Sequence, residues 1–194
     1  MLKPGSAGAV SWRGLSVQRL RLTFEVQAPE VDETPHAGES PALLAQRLAL
    51  AKAHAVAMQR PDAIVIGSDQ VADLNGEPIG KPGTHDRAVA QLQRMRGRRI
   101  IFQTAVAVVR ADTGFAQVLL APVGVAFRML TDAEIEHDLR TEEPYDCAGS
   151  AKCETLGIAL LDAIDSDDPT ALIGLPRIRT CQLLRAAGLD PLRP

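Results

Sequence analysis

Three groups of residues in this chain could do phosphate chemistry. Asp69 follows a short apolar run, Ala63-Ile64-Val65-Ile66-Gly67, with Ser68 before it and Gln70 after. A carboxylate just past the end of a buried strand lies where open α/β sheets gather their ligand sites. It can hold a cation or accept a proton there; an Asp that only starts a turn has the same appearance in sequence. Glu30, Asp32 and Glu33 share a loop bounded by Pro29 and Pro35. Clustered acids repel unless a cation sits among them, and oxygen ligands suit Mg²⁺ or Mn²⁺ better than a structural zinc. A solvated acidic loop is the commoner outcome for such a cluster. Lys52 borders the apolar stripe of a helix, and Lys81 stands in Gly80-Lys81-Pro82. Glycine lets a backbone approach a phosphate closely, and an ammonium is a point charge suited to it. An exposed turn lysine is the plain alternative. Carboxylates and lysines without an evident nucleophile point to metal-assisted phosphate chemistry.

The elements that must position these groups follow from local signals. Ser40-Pro41 opens a helix that runs to about Gln59, with Leu44, Leu48, Ala51 and Ala55 as its apolar stripe. Residues 15–26 end as strand-like alternation, and 63–67 read as a buried strand. Asn75-Gly76 marks a turn. Thr84 caps a helix through Arg96, closed by Gly97. Residues 99–109 and 116–129 form an antiparallel pair around Thr113-Gly114. Thr131 and Glu134 make a capping box for a helix to about Arg140. A loop over 142–155 leads to a strand-like stretch at 156–162. A last helix spans Pro176 to Ala187 and stops at Gly188. The alternation predicts an α/β fold.

Composition narrows the function. The chain has 194 residues, a formal net charge of −3 and 46% hydrophobic residues, which suits one globular domain over 1–194 with two lobes. Aromatics are 3% of the residues, which, with the mild acidity, argues against a nucleic-acid partner. Cys147, Cys153 and Cys181 are too few for a disulfide framework and predict a reducing compartment. The histidines lack ligand spacing, and Cys147 and Cys153 lack partners for a zinc site. No run approaches the roughly 18–20 apolar residues of a membrane span. The start of the chain has no apolar core of signal-peptide length, so a cytoplasmic location is expected.

Taken in order, PEVDET (29–34), Lys52-Ala53, IGSDQ (66–70), GKP (80–82), CAGS (147–150), Glu154 with Gly157-Ile158, and LIGLP (172–176) resemble the Maf-like nucleotide pyrophosphatases over about residues 12–192. The resemblance implies an elongated mixed sheet with flanking helices and a central cleft between two lobes, similar to the inosine-triphosphate pyrophosphatase fold. It implies hydrolysis of a nucleoside triphosphate to the monophosphate and pyrophosphate with a divalent cation, in a cytoplasmic protein that could be a homodimer. Asp69 matches the family's proton acceptor. Glu33, Lys52 and Lys81 match its cleft residues; in the mechanism expected here Glu33 and Asp69 hold the cation, directly or through water. The subfamily acting on 7-methyl-GTP looks closest, with Trp12, Gln70 and Glu154 at its substrate-selecting positions. N7-methylation leaves a positive charge on guanine, which a Trp face attracts by roughly 1–2 kcal/mol when desolvated. A glutamate accepts from the N1–H and exocyclic amine of guanine, and a glutamine amide can donate or accept.

The chain departs from the family at its phosphate loop, Ser-x-Ser-x-x-Arg-Arg. Gly8 and Val10 replace the two serines and Gly14 the second arginine, while Trp12 and Arg13 remain. Arg13 is the remaining phosphate-binding candidate there. Lost charged hydrogen bonds cost on the order of 1.5–3 kcal/mol each. Two alternatives therefore stand beside a 7-methyl-GTP pyrophosphatase. One is a non-catalytic or crippled nucleotide-binding, division-regulating protein, and the other is a pyrophosphatase for dTTP or UTP.

Overall fold

The computed structural model describes residues 17–193. Polar side chains start each helix by accepting from backbone N–H groups that have no helical partner. In α1 (Pro41–Ala57) the Ser40 side chain accepts from Leu43 N–H, and Pro41 takes a first-turn position that needs no donor. The Thr84 side chain accepts from Arg87 N–H at the head of α2 (His85–Met95). α3 (Asp132–Glu142) opens on the Thr131–Glu134 capping box. The fourth helix, α4 (Arg177–Ala186), is capped from a distance: Thr170 Oγ1 and the buried Asp168 accept from Arg177 and Arg179 N–H at 2.9 and 3.0 Å.

The strands are β1 (Val65–Leu74), β2 (Glu77–Ile79), β3 (Arg99–Arg110), β4 (Phe115–Phe127) and β5 (Leu161–Asp165). They form one sheet in the order β2-β1-β3-β4-β5. Every pairing among the described strands is antiparallel. Short connections require this for β1–β2 and β3–β4. β1 and β2 are joined by Asn75-Gly76, both at positive φ (56° and 88°), the requirement of a two-residue hairpin turn. β3 and β4 are joined through Ala111–Thr113 and Gly114.

Three expectations about strands change. β1 does not stop at Gly67. It runs on through Ser68, Asp69 and Gln70, each paired with β3, so Asp69 lies inside a strand rather than beyond one. The alternation ending at residue 26 forms no strand, and Val26 is 52% exposed. At 156–162 a 3₁₀ turn, Leu156–Leu160, precedes the short β5. The Glu142 carboxylate captures Thr155 Oγ1 at 2.6 Å and Leu156 N–H at 3.2 Å, which bends that stretch out of extension.

Side chains alternate across the sheet and sort the helices. On one face Val65, Val71, Ala105, Ala107 and Val109 pack against Leu44, Ala45, Leu48, Ala49, Ala53 and Ala57 of α1. The other face carries two separate packs. Ala72, Ile100, Phe102, Val123 and Val125 meet α2 and α3, and Val106 and Val108 meet Leu175 and α4. Ser68, Gln70 and Thr104 stand between those packs.

Candidate active site

The site begins with a close approach. A Cβ on Gly67 would stand 2.3 Å from the Ala49 carbonyl oxygen and 2.7 Å from Ala53 N, so glycine lets α1 lie directly on β1. Lys52 precedes Ala53, and Asp69 is two residues beyond Gly67 on the same face of the strand. Lys52 Nζ thereby donates to Asp69 Oδ1 at 2.6 Å and pairs with Glu33 Oε1 at 2.5 Å. The Lys52 and Asp69 side chains are only 14% and 10% exposed, whereas Glu33 is about half exposed. Charges this deep require partners, and the lysine aimed into a polar cleft is one of the two outcomes open to a residue beside the α1 stripe.

The acidic loop divides its labour. Asp32 accepts from Thr34 N–H at 2.9 Å, closing a local turn. Glu39 accepts from His36 N–H at 3.0 Å and from Arg47 Nε at 2.7 Å and Nη2 at 2.9 Å. The Arg47 guanidinium holds the Glu39 carboxyl down to about 2. Arg47 Nη2 also donates to the Thr34 carbonyl at 3.0 Å. Asp32, Glu39 and Arg47 are therefore a mount, and Glu33 is the member that reaches Lys52. Glu30 is an exposed side chain of the same loop. Reasoning from sequence missed Arg47, because its partners lie 8 and 13 residues away in an irregular loop.

The opposite face of β1 presents Gln70. Its Nε2 donates to Thr104 Oγ1 at 2.8 Å and to the Ala171 and Leu172 carbonyls, each at 3.1 Å. Carbonyl oxygens only accept, so the amide orientation is set and the Gln70 oxygen is the end left for a ligand. The sequence reading allowed this amide to donate or accept; the structure restricts it to accepting.

Glu33, Asp69, Gln70, Lys81 and Glu154 all line one cavity of about 390 Å³. Lys81 and Glu154 are exposed side chains on its rim, supplied by the turn after β2 and the loop before β5. Both loops are braced. Gly83 N–H donates to the Tyr145 carbonyl at 2.9 Å, and the Tyr145 hydroxyl lies 3.0 Å from His85 Nδ1. His85 Nε2 in turn meets Glu136 at 3.1 Å. Trp12 and Arg13 lie outside the described residues.

All three cysteines are free. Burial, reinforced by the neighbouring Asp146 and Glu154 carboxylates, pushes the Cys147 and Cys153 thiols up to about 12. Protonated thiols make poor nucleophiles and ligands. Among the described residues no three His, Cys, Asp or Glu side chains form a ready metal cage, and no helix is long and apolar enough to cross a membrane.

Comparison with known proteins gives the chain's family. A family model described as "Maf-like protein" matches residues 9–187. A protein of Polaromonas sp. (strain JS666 / ATCC BAA-500) named 7-methyl-GTP pyrophosphatase is 66% identical over 188 residues, 96% of this chain and 86% of its own length. One of the same name from Albidiferax ferrireducens is 67% identical over 174 residues, covering 90% of this chain and 87% of the relative. A third, from Aromatoleum aromaticum, is 56% identical over 183 residues, 94% of each. With nearly its whole length matched by the model and by relatives of this identity, the chain belongs to the Maf-like protein family.

Proposed function

We propose that this protein hydrolyses a nucleoside triphosphate, with 7-methyl-GTP preferred, to the monophosphate and pyrophosphate. The observation that carries the reading is Lys52 held between Glu33 and Asp69 in a cleft that also receives Lys81, Gln70 and Glu154. The names of the relatives support the choice of nucleotide.

In this mechanism a water attacks the α-phosphorus. A new O–P bond forms, the bridging bond between the α-phosphorus and the β-phosphate oxygen breaks, and pyrophosphate leaves. Asp69 orients the water and takes its proton. Lys52 fixes the Asp69 carboxylate, and with Lys81 it neutralises the charge that grows on the leaving group. Arg13 adds a guanidinium to the phosphates. Gln70 accepts from the base, Glu154 accepts from the guanine N1–H and exocyclic amine, and Trp12 stacks on the cationic ring.

A divalent cation fits the donors. Glu33 and Asp69 offer hard carboxylate oxygens that already share one cation, the Lys52 ammonium. Mg²⁺ and Mn²⁺ are suited to one or two such carboxylates completed by substrate phosphates and water. Such an ion would draw charge from the phosphate oxygens. Three free thiols and a substrate from the nucleotide pool suit a cytoplasmic protein. A homodimer is the assembly to test by light scattering.

The test is pyrophosphate release from 7-methyl-GTP, GTP, dTTP and UTP with Mg²⁺ or Mn²⁺. The methylated nucleotide should be hydrolysed fastest, and Asp69→Asn should lower turnover at least about a hundredfold in a folded protein. Wild-type rates in that variant would reject the role of Asp69. Binding by calorimetry without release would identify a nucleotide-binding protein instead, and preference for dTTP or UTP would reject the roles given to Trp12 and Glu154.

A further inference from the structure

The two rims of the cleft meet at one side chain outside every motif of the sequence reading. Gln91, partly buried on α2, donates from Nε2 to the Gly80 carbonyl at 3.1 Å. At its other end Oε1 accepts from the Ser150 hydroxyl at 2.6 Å. The orientation follows from chemistry, since the Gly80 carbonyl can only accept and must face the NH₂ group. Gly80 is the neighbour of Lys81, on the phosphate-side rim. Ser150 ends the Cys147–Ser150 turn, and both that turn and Glu154, four residues further on, face the same cavity.

That turn is held against its own preference. Gly149 and Ser150 are both left-handed, at φ 74° and 54°, and a Cβ on Gly149 would meet Phe102 Cζ at 3.0 Å. A serine keeps such a conformation only where its surroundings hold it. Ser150 is fully buried, and the Gln91 oxygen receives its hydroxyl.

We propose that Gln91 is a positioning residue for nucleotide selection. By gripping Gly80 and Ser150 at once, it sets the span between Lys81 and Glu154, so phosphates and base are read at a fixed separation. Loosening the span costs the base contacts first, because a triphosphate tail can follow a mobile lysine whereas hydrogen bonds to a flat ring edge need fixed geometry. The selection role rests on the pyrophosphatase reading; the grip itself does not.

The experiment compares wild type with Gln91→Leu, Ser150→Ala and the double variant. Without nucleotide, amide hydrogen exchange should quicken about tenfold or more in both 80–83 and 147–151 of each single variant. The ratio of kcat/KM for 7-methyl-GTP over UTP, whose base lacks the donor pair read by Glu154, should fall about tenfold, through KM for 7-methyl-GTP, with kcat within about threefold. The double variant should be no worse than Gln91→Leu, since both substitutions break one linkage. Unchanged exchange in both segments overturns the grip, whatever the substrate. Faster exchange with an unchanged ratio, or an equal loss of kcat on both nucleotides with a lower melting temperature, overturns the selection role. A wild type that releases no pyrophosphate from either nucleotide sinks the functional reading and the selection role with it, and exchange alone then decides the grip. If Gln91→Leu does not fold, Ser150→Ala carries the same measurements.

Discussion

Replacing Gly67 with alanine tests the link between backbone packing and chemistry. The new Cβ would sit 2.3 Å from the Ala49 carbonyl oxygen, where real Cβ contacts essentially never fall below 3.0 Å, so α1 must retreat by about 0.7 Å. The atoms in the way are helix backbone, and no side chain can swing aside. Lys52 rides on α1, and its 2.6 Å contact with Asp69 would open beyond the roughly 2.7–2.9 Å of a charge-assisted hydrogen bond. Overpacking of this kind costs about 1–3 kcal/mol, and in a domain of this size each kcal/mol lowers Tm by about 2–4 °C. Displacing a catalytic group by most of an ångström costs up to about a hundredfold in rate. Gly67→Ala should therefore melt about 2–12 °C lower and release pyrophosphate about 10–100 times more slowly. Lys52→Met leaves the Gly67 contact intact and should show the same slow release. A Gly67→Ala protein with wild-type Tm and turnover within twofold would refute the reasoning, and an active Lys52→Met would refute its catalytic half.

Three further outcomes follow from other charged and titratable groups. Asp138 is 3% exposed with neither carboxylate oxygen hydrogen-bonded, and burial with the nearby Glu142 raises its pKa from 3.8 to about 6, against the opposing pull of His137 and Lys152. Its stabilising protonated form is complete below about pH 4 and is lost as pH rises through about 6, so Asp138→Asn should gain up to about 3 kcal/mol at pH 7.5 and almost nothing at pH 4 in urea unfolding. Equal gains at both pH values would reject this. Arg47→Ala should lower kcat/KM about tenfold by freeing the Glu33 loop, and its circular dichroism should match wild type; unchanged kinetics would show that Glu33 needs no mount. Cys147 and Cys153, with pKa values about 12, should react with iodoacetamide at pH 7.5 at least about tenfold more slowly than free cysteine, as mass spectrometry would show. Labelling at the free-cysteine rate would contradict the burial and the carboxylates around them.

What the sequence discloses here is what short-range chemistry determines. Ser40-Pro41, Thr84, Thr131 with Glu134, and Asn75-Gly76 act within three or four residues, and each performs as its type predicts. The run Ser68-Asp69-Gln70 misleads, because polar residues after AIVIG look like the end of a strand. Their hydrogen bonds are instead completed by partners 17 to 106 residues away. The α1 stripe shifts for a similar reason. Ala49 and Ala53 are buried where Ala51 and Ala55 were expected, because the contact with Gly67 chooses the helix face. Asp69, Glu33, Lys52, Gln70, Lys81 and Glu154 could be brought together only through the family pattern, since no local period connects them. Arg47 and Gln91 stayed invisible because each acts on the backbone of a loop whose course depends on the tertiary fold.

Those three residues of β1 also explain why the cleft and the fold are hard to separate. Polar side chains in the middle of a strand are a liability unless every donor and acceptor is met. Ser68 Oγ lies 2.8 Å from the Ala105 carbonyl and 2.7 Å from that of Gly174, so it ties the LIGLP loop to the sheet. Asp69 draws in α1 through Lys52, and Gln70 holds the loop again at Ala171 and Leu172. Three consecutive residues thus join a helix, a neighbouring strand and a distant loop around one cavity. An apolar substitution at any of them strands a buried partner on another element, so loss of activity there should come with loss of stability. Lys81 and Glu154, exposed on the cleft rim, are the positions where the two can be separated.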